Sequence, residues 1–378
     1  MTADKKNKKF NVLHVIPRLP VGGVENMLLK VIEGYDKERF NVIVCCIKEK
    51  GEIADELIRL GYRVEVLNKM QKKGFDWGAV SGLRKLMKRH EIHIVRTHMY
   101  HANMYGRIAS ILAGVPVKIT SSHDLYISPD KPKFHRRLIN CILGMFSDAV
   151  VAVSQSVASD ILKYDKVSRG KVKIIYNGIA IDKFTDTLSR REAREVFHLP
   201  ADGTIIGSVG RLTDQKGHRY LVEAAAGLGN VSIALAGDGP ERERLQELAR
   251  QCRVNCIMPG RLEPEKVRTF LGALDIFCFP SLWEGFGTAL VEAMASGLPV
   301  IASDIPPHRE VLGDAGEFVA PGNSKDLSEA LRRFTDAPFL MERFGEKAKS
   351  RAVLFSIEAT VRAYEELFAD ILKRKGML

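Results

Sequence analysis

The 378-residue sequence has no uninterrupted apolar run approaching the ~20 residues that a bilayer-spanning helix needs, which argues against an integral helical membrane protein. It also lacks low-complexity tracts and short internal repeats. Its six cysteines, at 45, 46, 141, 252, 256 and 278, do not have zinc-site spacing. Cys252 and Cys256 stand four apart, but no second pair or histidine follows them, so structural thiols in a reducing compartment are expected. The start, MTADKKNKKF, is basic and runs directly into NVLHVI without a signal-type apolar segment, so the expected location is cytoplasmic. A nicotinamide-dinucleotide fingerprint is missing as well: the loop after the first apolar run is Pro20-Val21-Gly22-Gly23-Val24-Glu25, not G-x-G-x-x-G.

What is present is ordinary in amount, 46% hydrophobic and 27% charged, but not in distribution. The formal net charge is +11. Residues 1–180 carry 31 Lys and Arg against 17 Asp and Glu, whereas residues 181–378 carry 26 against 29. The basic excess therefore lies wholly in the first half. It suits an anionic membrane face or a phosphorylated acceptor; nucleic acid is disfavoured because no binding motif accompanies the charge. Two helix-like segments concentrate it: KPKFHRRLINCILGMF (131–146), with Lys131, Lys133, Arg136 and Arg137 at one end, and GAVSGLRKLMKRH (78–90). Either could dock on anionic headgroups, at the inner face of the cytoplasmic membrane, or cover a sheet with solvated basic ends.

Short apolar runs alternate with helix-like segments throughout. In the first half the strand-like runs are 11–16, 41–47, 63–68, 92–98, 117–123 and 148–154, with 171–184 read as a closing turn. In the second they fall near 204–210, 231–236, 254–258, 275–279, 299–303 and 317–319, after a polar stretch at 185–203 read as a linker. This is the pattern of parallel sheets covered on both faces, in two doubly wound α/β domains.

Three segments in the second half carry chemistry. In SLWEGFGTALVEAMASGLPVIAS (281–303), a glycine-rich loop feeds a helix whose free N–H groups form a ready anion site, flanked by Glu284 and Glu292. Carboxylates accept hydrogen bonds from hydroxyls, so a phosphate held between hydroxyl groups is the ligand this pattern suggests: a nucleotide sugar. In IIGSVGRLTDQKGHRYLVEAAA (205–226), Gly210 precedes a loop with Arg211 and Lys216, two cations able to converge on a diphosphate. VSIALAGDGPERERLQELAR (231–250) repeats the strand–turn–helix pattern with Gly237 and Gly239 at the turn. These three motifs, in this order, resemble the retaining glycosyltransferases of the GT-B fold in the large GT4 family, over nearly the whole chain.

The resemblance implies two Rossmann-like domains facing across a cleft. Residues 1–182 would bind the acceptor and 183–355 the donor, with a helix at about 356–378 packing back on the first domain. It implies that Arg211 and Lys216 neutralise the leaving diphosphate. Glu292 would hold the ribose hydroxyls and Glu284 those of the transferred sugar, while the backbone of Phe286, Gly287 and Thr288 faces the phosphates. Gly237 and Gly239 would let the backbone approach the nucleotide, and Arg261 and Leu262 of MPGRLEPE (258–265) would frame the base. In the first domain, Gly22 and Gly23 would lie beside the donor phosphate and His123 against the donor sugar, with His98 and His101 lining an acceptor pocket. The implied reaction is hexosyl or N-acetylhexosaminyl transfer with retention, from a UDP-sugar by preference, to a saccharide or lipid-linked acceptor in envelope polysaccharide or glycolipid synthesis. No cofactor and no metal are implied, since no DxD-like metal motif occupies a plausible loop. GDP-mannose or ADP-glucose as donor, a nucleotide-sugar epimerase, and a non-catalytic nucleotide-sugar-binding subunit are the alternatives.

Overall fold

The computed structural model describes residues 9–71, 74–123, 125–126, 134–184 and 188–378. The basic start and Lys131 and Lys133 lie outside the described residues. The chain separates into two compact units, Met1–Gly178 with Ile357–Leu378, and Ile179–Ser356.

The first unit is built on seven parallel strands: β1 (Phe10–Ile16), β2 (Phe40–Cys46), β3 (Arg63–Val66), β4 (Ile94–His98), β5 (Val117–Ser122), β6 (Ala149–Ala152) and β7 (Val172–Ile174). Their order is β3-β2-β1-β4-β5-β6-β7. β1 is almost wholly buried, as a central strand covered on both faces must be. Helices α1 (Gly23–Gly34), α2 (Glu52–Arg59), α3 (Trp77–Arg89), α4 (Tyr100–Ala113), α5 (Phe134–Phe146) and α6 (Gln155–Asp160) make the connections. The chain builds outward from β1 to β3, then crosses through α3 to β4 on the other side of β1. The strand order therefore reverses between β1 and β4, and a crevice opens at their carboxyl ends.

The second unit repeats this plan with six parallel strands in the order β10-β9-β8-β11-β12-β13. They are β8 (Thr204–Val209), β9 (Val231–Ala236), β10 (Asn255–Gly260), β11 (Ile276–Phe279), β12 (Val300–Ser303) and β13 (Glu317–Val319). The accompanying helices are α7 (Arg190–Val196), α8 (His218–Ala225), α9 (Arg242–Gln251), α10 (Pro264–Gly272), α11 (Thr288–Ala295), α12 (Pro306–Leu312), α13 (Ser324–Asp336) and α14 (Pro338–Ala352). Here the reversal lies between β8 and β11, so the loops after those two strands, 210–217 and 280–287, meet at the crevice. The last helix, α15 (Ile357–Arg374), belongs to the first unit, where Phe368 packs on Tyr35 and Phe40 and the Glu365 carboxylate accepts from the backbone N–H of Asp36.

Two readings of the sequence need correction. The segment read as a closing turn contains β7, which pairs in parallel with β6 at the sheet edge. The stretch read as a linker contains α7, started by a capping box of Ser189 and Glu192. Arg194 of that helix is buried and donates to the Asp275 carboxylate, which ties the helix to the second unit. Polar composition concealed a helix whose anchor is an ion pair, not an apolar stripe.

Candidate functional site

In the second unit the two crevice loops are strapped together by their backbones. The N–H of Leu282 donates to the carbonyl of Gln215, and the Gln215 side-chain amide donates to the carbonyl of Trp283. Gly217 has a left-handed φ of +64°, and a Cβ there would lie 2.2 Å from the Pro280 carbonyl oxygen, so only glycine permits this approach. The strapping brings Lys216 against Glu284, and the two form an ion pair with both side chains largely buried. The Lys216 ammonium also stands 5.1 Å from the centre of the Phe279 ring. Arg211, on the same loop, projects into solvent.

Gly287, with φ +93°, caps α11, and the N–H groups of Gly287 and Thr288 have no protein acceptor among the described residues. Phe286 is buried against the ring of Phe355. One turn into α11, Glu292 keeps part of its side chain accessible. No group among the described residues hydrogen-bonds its carboxylate, and burial pushes it up to about 7. Lys216 and Glu284 thus form an ion pair on the loops that meet at the crevice, the second of these loops leads into the amino terminus of α11, and Glu292 stands one turn inside that helix.

Gly237 and Gly239 are required by the packing of the protein itself. A Cβ on Gly237 would lie 1.8 Å from the Gly210 carbonyl oxygen, and one on Gly239 would lie 2.4 Å from that of Leu212. The close approach is to protein backbone. The turn after β9 lies directly against the turn after β8, with the N–H of Leu212 donating to the Asp238 carbonyl at 3.0 Å. These glycines therefore shape the Arg211–Lys216 loop from behind. Gly237→Ala, at a φ of +146°, is expected to destabilise the chain by about 3 kcal/mol or more, read as a shifted urea midpoint. A midpoint unchanged from the parent would refute this role. Gly260 ends β10, the edge strand of the second sheet, its carbonyl accepts from the Gly237 N–H, and Arg261 and Leu262 follow it.

The first unit has its own site. A pocket of about 210 Å³ opens at the carboxyl ends of β4 and β5, lined by Val24 of α1, Asn103 of α4, His123, Tyr126 and Arg136 of α5 among others. Neither ring nitrogen of His123 has a partner among the described residues. Burial, reinforced by the nearby Arg96 charge, holds this imidazole neutral, near 3. Gly22 is the N-cap of α1 in extended conformation, and the Glu25 carboxylate folds back over it: a Cβ on Gly22 would meet Glu25 Oε2 at 2.3 Å. Gly23 has open space around its Cα.

His98 does not line this pocket. It is fully buried beneath it, its Nε2 3.1 Å from Nδ1 of His14 and its ring stacked between those of His14 and His123. Burial holds it well below the usual histidine range. The reading of His98 as a pocket-lining residue is therefore corrected: the His14 and His123 rings pack against it and it is fully buried. His101 is exposed at the start of α4 and lies outside the pocket.

Sequence reasoning missed several residues here. His308 of α12 donates from Nδ1 to the Ser303 carbonyl at 2.8 Å, leaving a buried Nε2 with no partner among the described residues, and its ring packs on Phe279 beside the Lys216–Glu284 pair. Arg96 is a fully buried cation 3.5 Å over the Tyr364 ring. Asn140, held by Arg107, Tyr126 and Asp165, floors the first-unit pocket. The last two lie on elements whose sequences look merely structural. Among the described residues, no group of three His, Cys, Asp or Glu side chains is placed to hold a metal ion.

Two Rossmann-like units, each with a strand reversal at the centre of its parallel sheet, are the architecture of the GT-B fold. The family comparisons agree: residues 21–183 match the model for Glycosyltransferase Family 4, and residues 189–351 that for Glycosyl transferases group 1. The chain belongs to the GT4 family of nucleotide-sugar-dependent glycosyltransferases. The UDP-Gal:alpha-D-GlcNAc-diphosphoundecaprenol alpha-1,3-galactosyltransferase of Escherichia coli is 25% identical to it over 98% of this chain and 99% of that protein. Alpha-maltose-1-phosphate synthase of Mycobacterium tuberculosis is 28% identical over 73% of this chain and 79% of that protein. Among solved structures, HepE of Anabaena in complex with UDP and glucose shares the fold. Its TM-score is 0.84 at 21% identity, over 96% of this chain and all of that one.

Proposed function

We propose that the protein transfers a hexosyl or N-acetylhexosaminyl group, with retention, from a UDP-sugar to a saccharide or lipid-linked acceptor of envelope polysaccharide or glycolipid synthesis. The observation that carries this reading is the strapped pair of crevice loops, which pairs Lys216 with Glu284 on the loop leading into α11, the helix that carries Glu292. The cation and N–H groups suit a diphosphate; the carboxylates suit hydroxyls on either side of it. A UDP-bound structural neighbour and a relative named for a UDP-sugar donor and a lipid-diphosphate acceptor favour the same choice.

In this reading Arg211 and Lys216 stabilise the charge that develops as the C1–O bond to the diphosphate breaks. The acceptor oxygen bonds to C1 on the same face, and its proton passes to an oxygen of the departing β-phosphate. Glu284 positions sugar hydroxyls and is no nucleophile, in contrast to the paired carboxylates of retaining glycosidases. Glu292 takes the ribose hydroxyls. Phe286, Gly287 and Thr288 offer backbone N–H groups, Arg261 and Leu262 frame the base, and His123 contributes a neutral imidazole. The two loop cations take the role a metal would play, so neither metal nor cofactor is required.

Thermal unfolding with UDP, GDP and ADP tests the donor assignment, because a ligand that binds only the native state raises its stability. UDP is expected to raise the melting temperature most, equally with and without EDTA. A larger shift with GDP would move the assignment to GDP-mannose, and one with ADP to ADP-glucose. No shift with any of the three would overturn the phosphate site. Product analysis completes the test: net release of UDP with an α-linked product from an α-linked donor is expected, whereas an epimerase would release no nucleoside diphosphate.

A further inference from the structure

Helix α5 carries apolar residues on its outer side as well as on the side that meets the core. Its buried residues are Asn140, Leu143 and Gly144. Its inner side is mixed: Leu143 and the partly buried Ile139 join the apolar core, while Asn140 bonds to Arg107 and Asp165 and Arg136 lies 4.0 Å over the Tyr100 ring. Its outer side carries Phe134, Leu138, Ile142, Met145 and Phe146, which are between 43% and 78% exposed. Their spacing places them on one stripe of the helix. No other helix among the described residues presents five exposed large apolar side chains.

The surroundings of this stripe are basic. Arg137 flanks it and donates to the Tyr164 carbonyl, Lys163 is exposed beside the same tyrosine, and Lys171 donates to the carbonyls of Gly144 and Met145 at its carboxyl end. The helix itself contains no acidic residue. Helix α3, which packs with α4 and α5 on the same apolar layer, turns Arg84, Lys85, Lys88 and Arg89 outward. The sequence presents α3 and α5 as equivalent basic helices, but only α5 has an apolar outer stripe.

We propose that the outer face of α5 is the membrane-docking surface of this protein, with the apolar stripe inserted below the headgroups of an anionic leaflet and the flanking cations at headgroup level. An apolar stripe on a helix without acidic residues, bordered by cations among the described residues, is complementary to such a leaflet. The inner side of the same helix supplies Arg136 and Asn140 to the first-unit pocket, so docking would hold that pocket within one helix diameter of the bilayer. The link to a lipid-linked acceptor rests on the function proposed above; the docking does not.

The test is co-sedimentation of the full chain with vesicles of phosphatidylcholine containing phosphatidylglycerol, and with phosphatidylcholine alone. The wild type is expected to pellet with the mixed vesicles and to bind pure phosphatidylcholine poorly. Ile142→Ser combined with Met145→Ser is expected to lower partitioning by about 10-fold or more, with the UDP-induced thermal shift retained. Ile58→Ser, at an exposed apolar residue of α2, is expected to leave partitioning unchanged. Equal binding by wild type and the α5 variant, or no binding by the wild type, would overturn the proposal. So would a wild-type dimer in light scattering that the same substitutions dissociate, since the stripe would then cover a second copy. Because no acceptor is present, failure here is distinct from failure of the proposed transfer to a lipid-linked substrate.

Discussion

Lys216→Ala is expected to lower kcat/KM for sugar transfer by about 10²–10³-fold, which corresponds to ~2.7–4 kcal/mol of lost transition-state stabilisation. The cation sits on the loop after β8, where the leaving diphosphate would gather charge, and Arg211 alone cannot replace it because its side chain is solvent-exposed. The substitution also leaves Glu284 buried without a counter-charge, which by itself destabilises the fold. The two effects separate in the double variant Lys216→Ala/Glu284→Gln. Neutralising the stranded carboxylate should restore much of the melting temperature, while transfer remains slow. Kinetics and melting on the single and double variants decide the matter. A single variant with near-parental kcat/KM would remove Lys216 from the chemistry and leave it a structural ion pair.

Glu292→Gln is expected to change the pH dependence of both stability and nucleotide binding. The carboxyl titrates near 7 in the folded chain against 4.5 for an unperturbed glutamate, because burial disfavours its charged form. Folding therefore binds the proton more tightly. This group's contribution to stability is fully present below about pH 4.5, declines as pH rises, and by pH 8 is lower by roughly 3 kcal/mol. The glutamine variant should match the parent near pH 4.5 and be the more stable of the two at pH 8, as read from urea midpoints across that range. Binding runs in the opposite direction. Ribose hydroxyls donating to the carboxylate would favour its charged form, so the parent should bind UDP more tightly at pH 8 than at pH 6 and release a proton on binding at pH 6. Calorimetry in buffers of different ionisation enthalpy measures that proton. Parallel stability profiles for parent and variant would show that Glu292 is not the group responsible.

The alternation of short apolar runs with helix-like segments was sufficient to locate twelve of the thirteen strands, because a parallel strand covered on both faces must be apolar along its length. β7 escaped because it is a three-residue edge strand with an exposed lysine in its middle. Helix α7 escaped because its burial depends on Arg194 reaching Asp275, 81 residues away. The odd position of Glu292 was legible, since a carboxylate among Ala289, Leu290, Val291, Ala293 and Met294 has poor reason to be there as a solvated charge. That no described residue hydrogen-bonds it was not legible, because partners come from other elements.

The sequence by itself determined the α/β class, the strand–loop–helix units and the residue types at each crevice loop, since these follow from local periodicity and from glycine at the turns. Tertiary structure alone decided three things: that Lys216 faces Glu284, 68 residues distant; that Gly237 backs the Gly210 turn; and that His98 lies beneath its pocket. It also decided which of two similar basic helices turns apolar residues outward. Each of these depends on the register of parallel strands brought together by crossovers tens of residues long. Local sequence specifies the pieces of such a sheet, but which side chains meet across it is set only when the strands align.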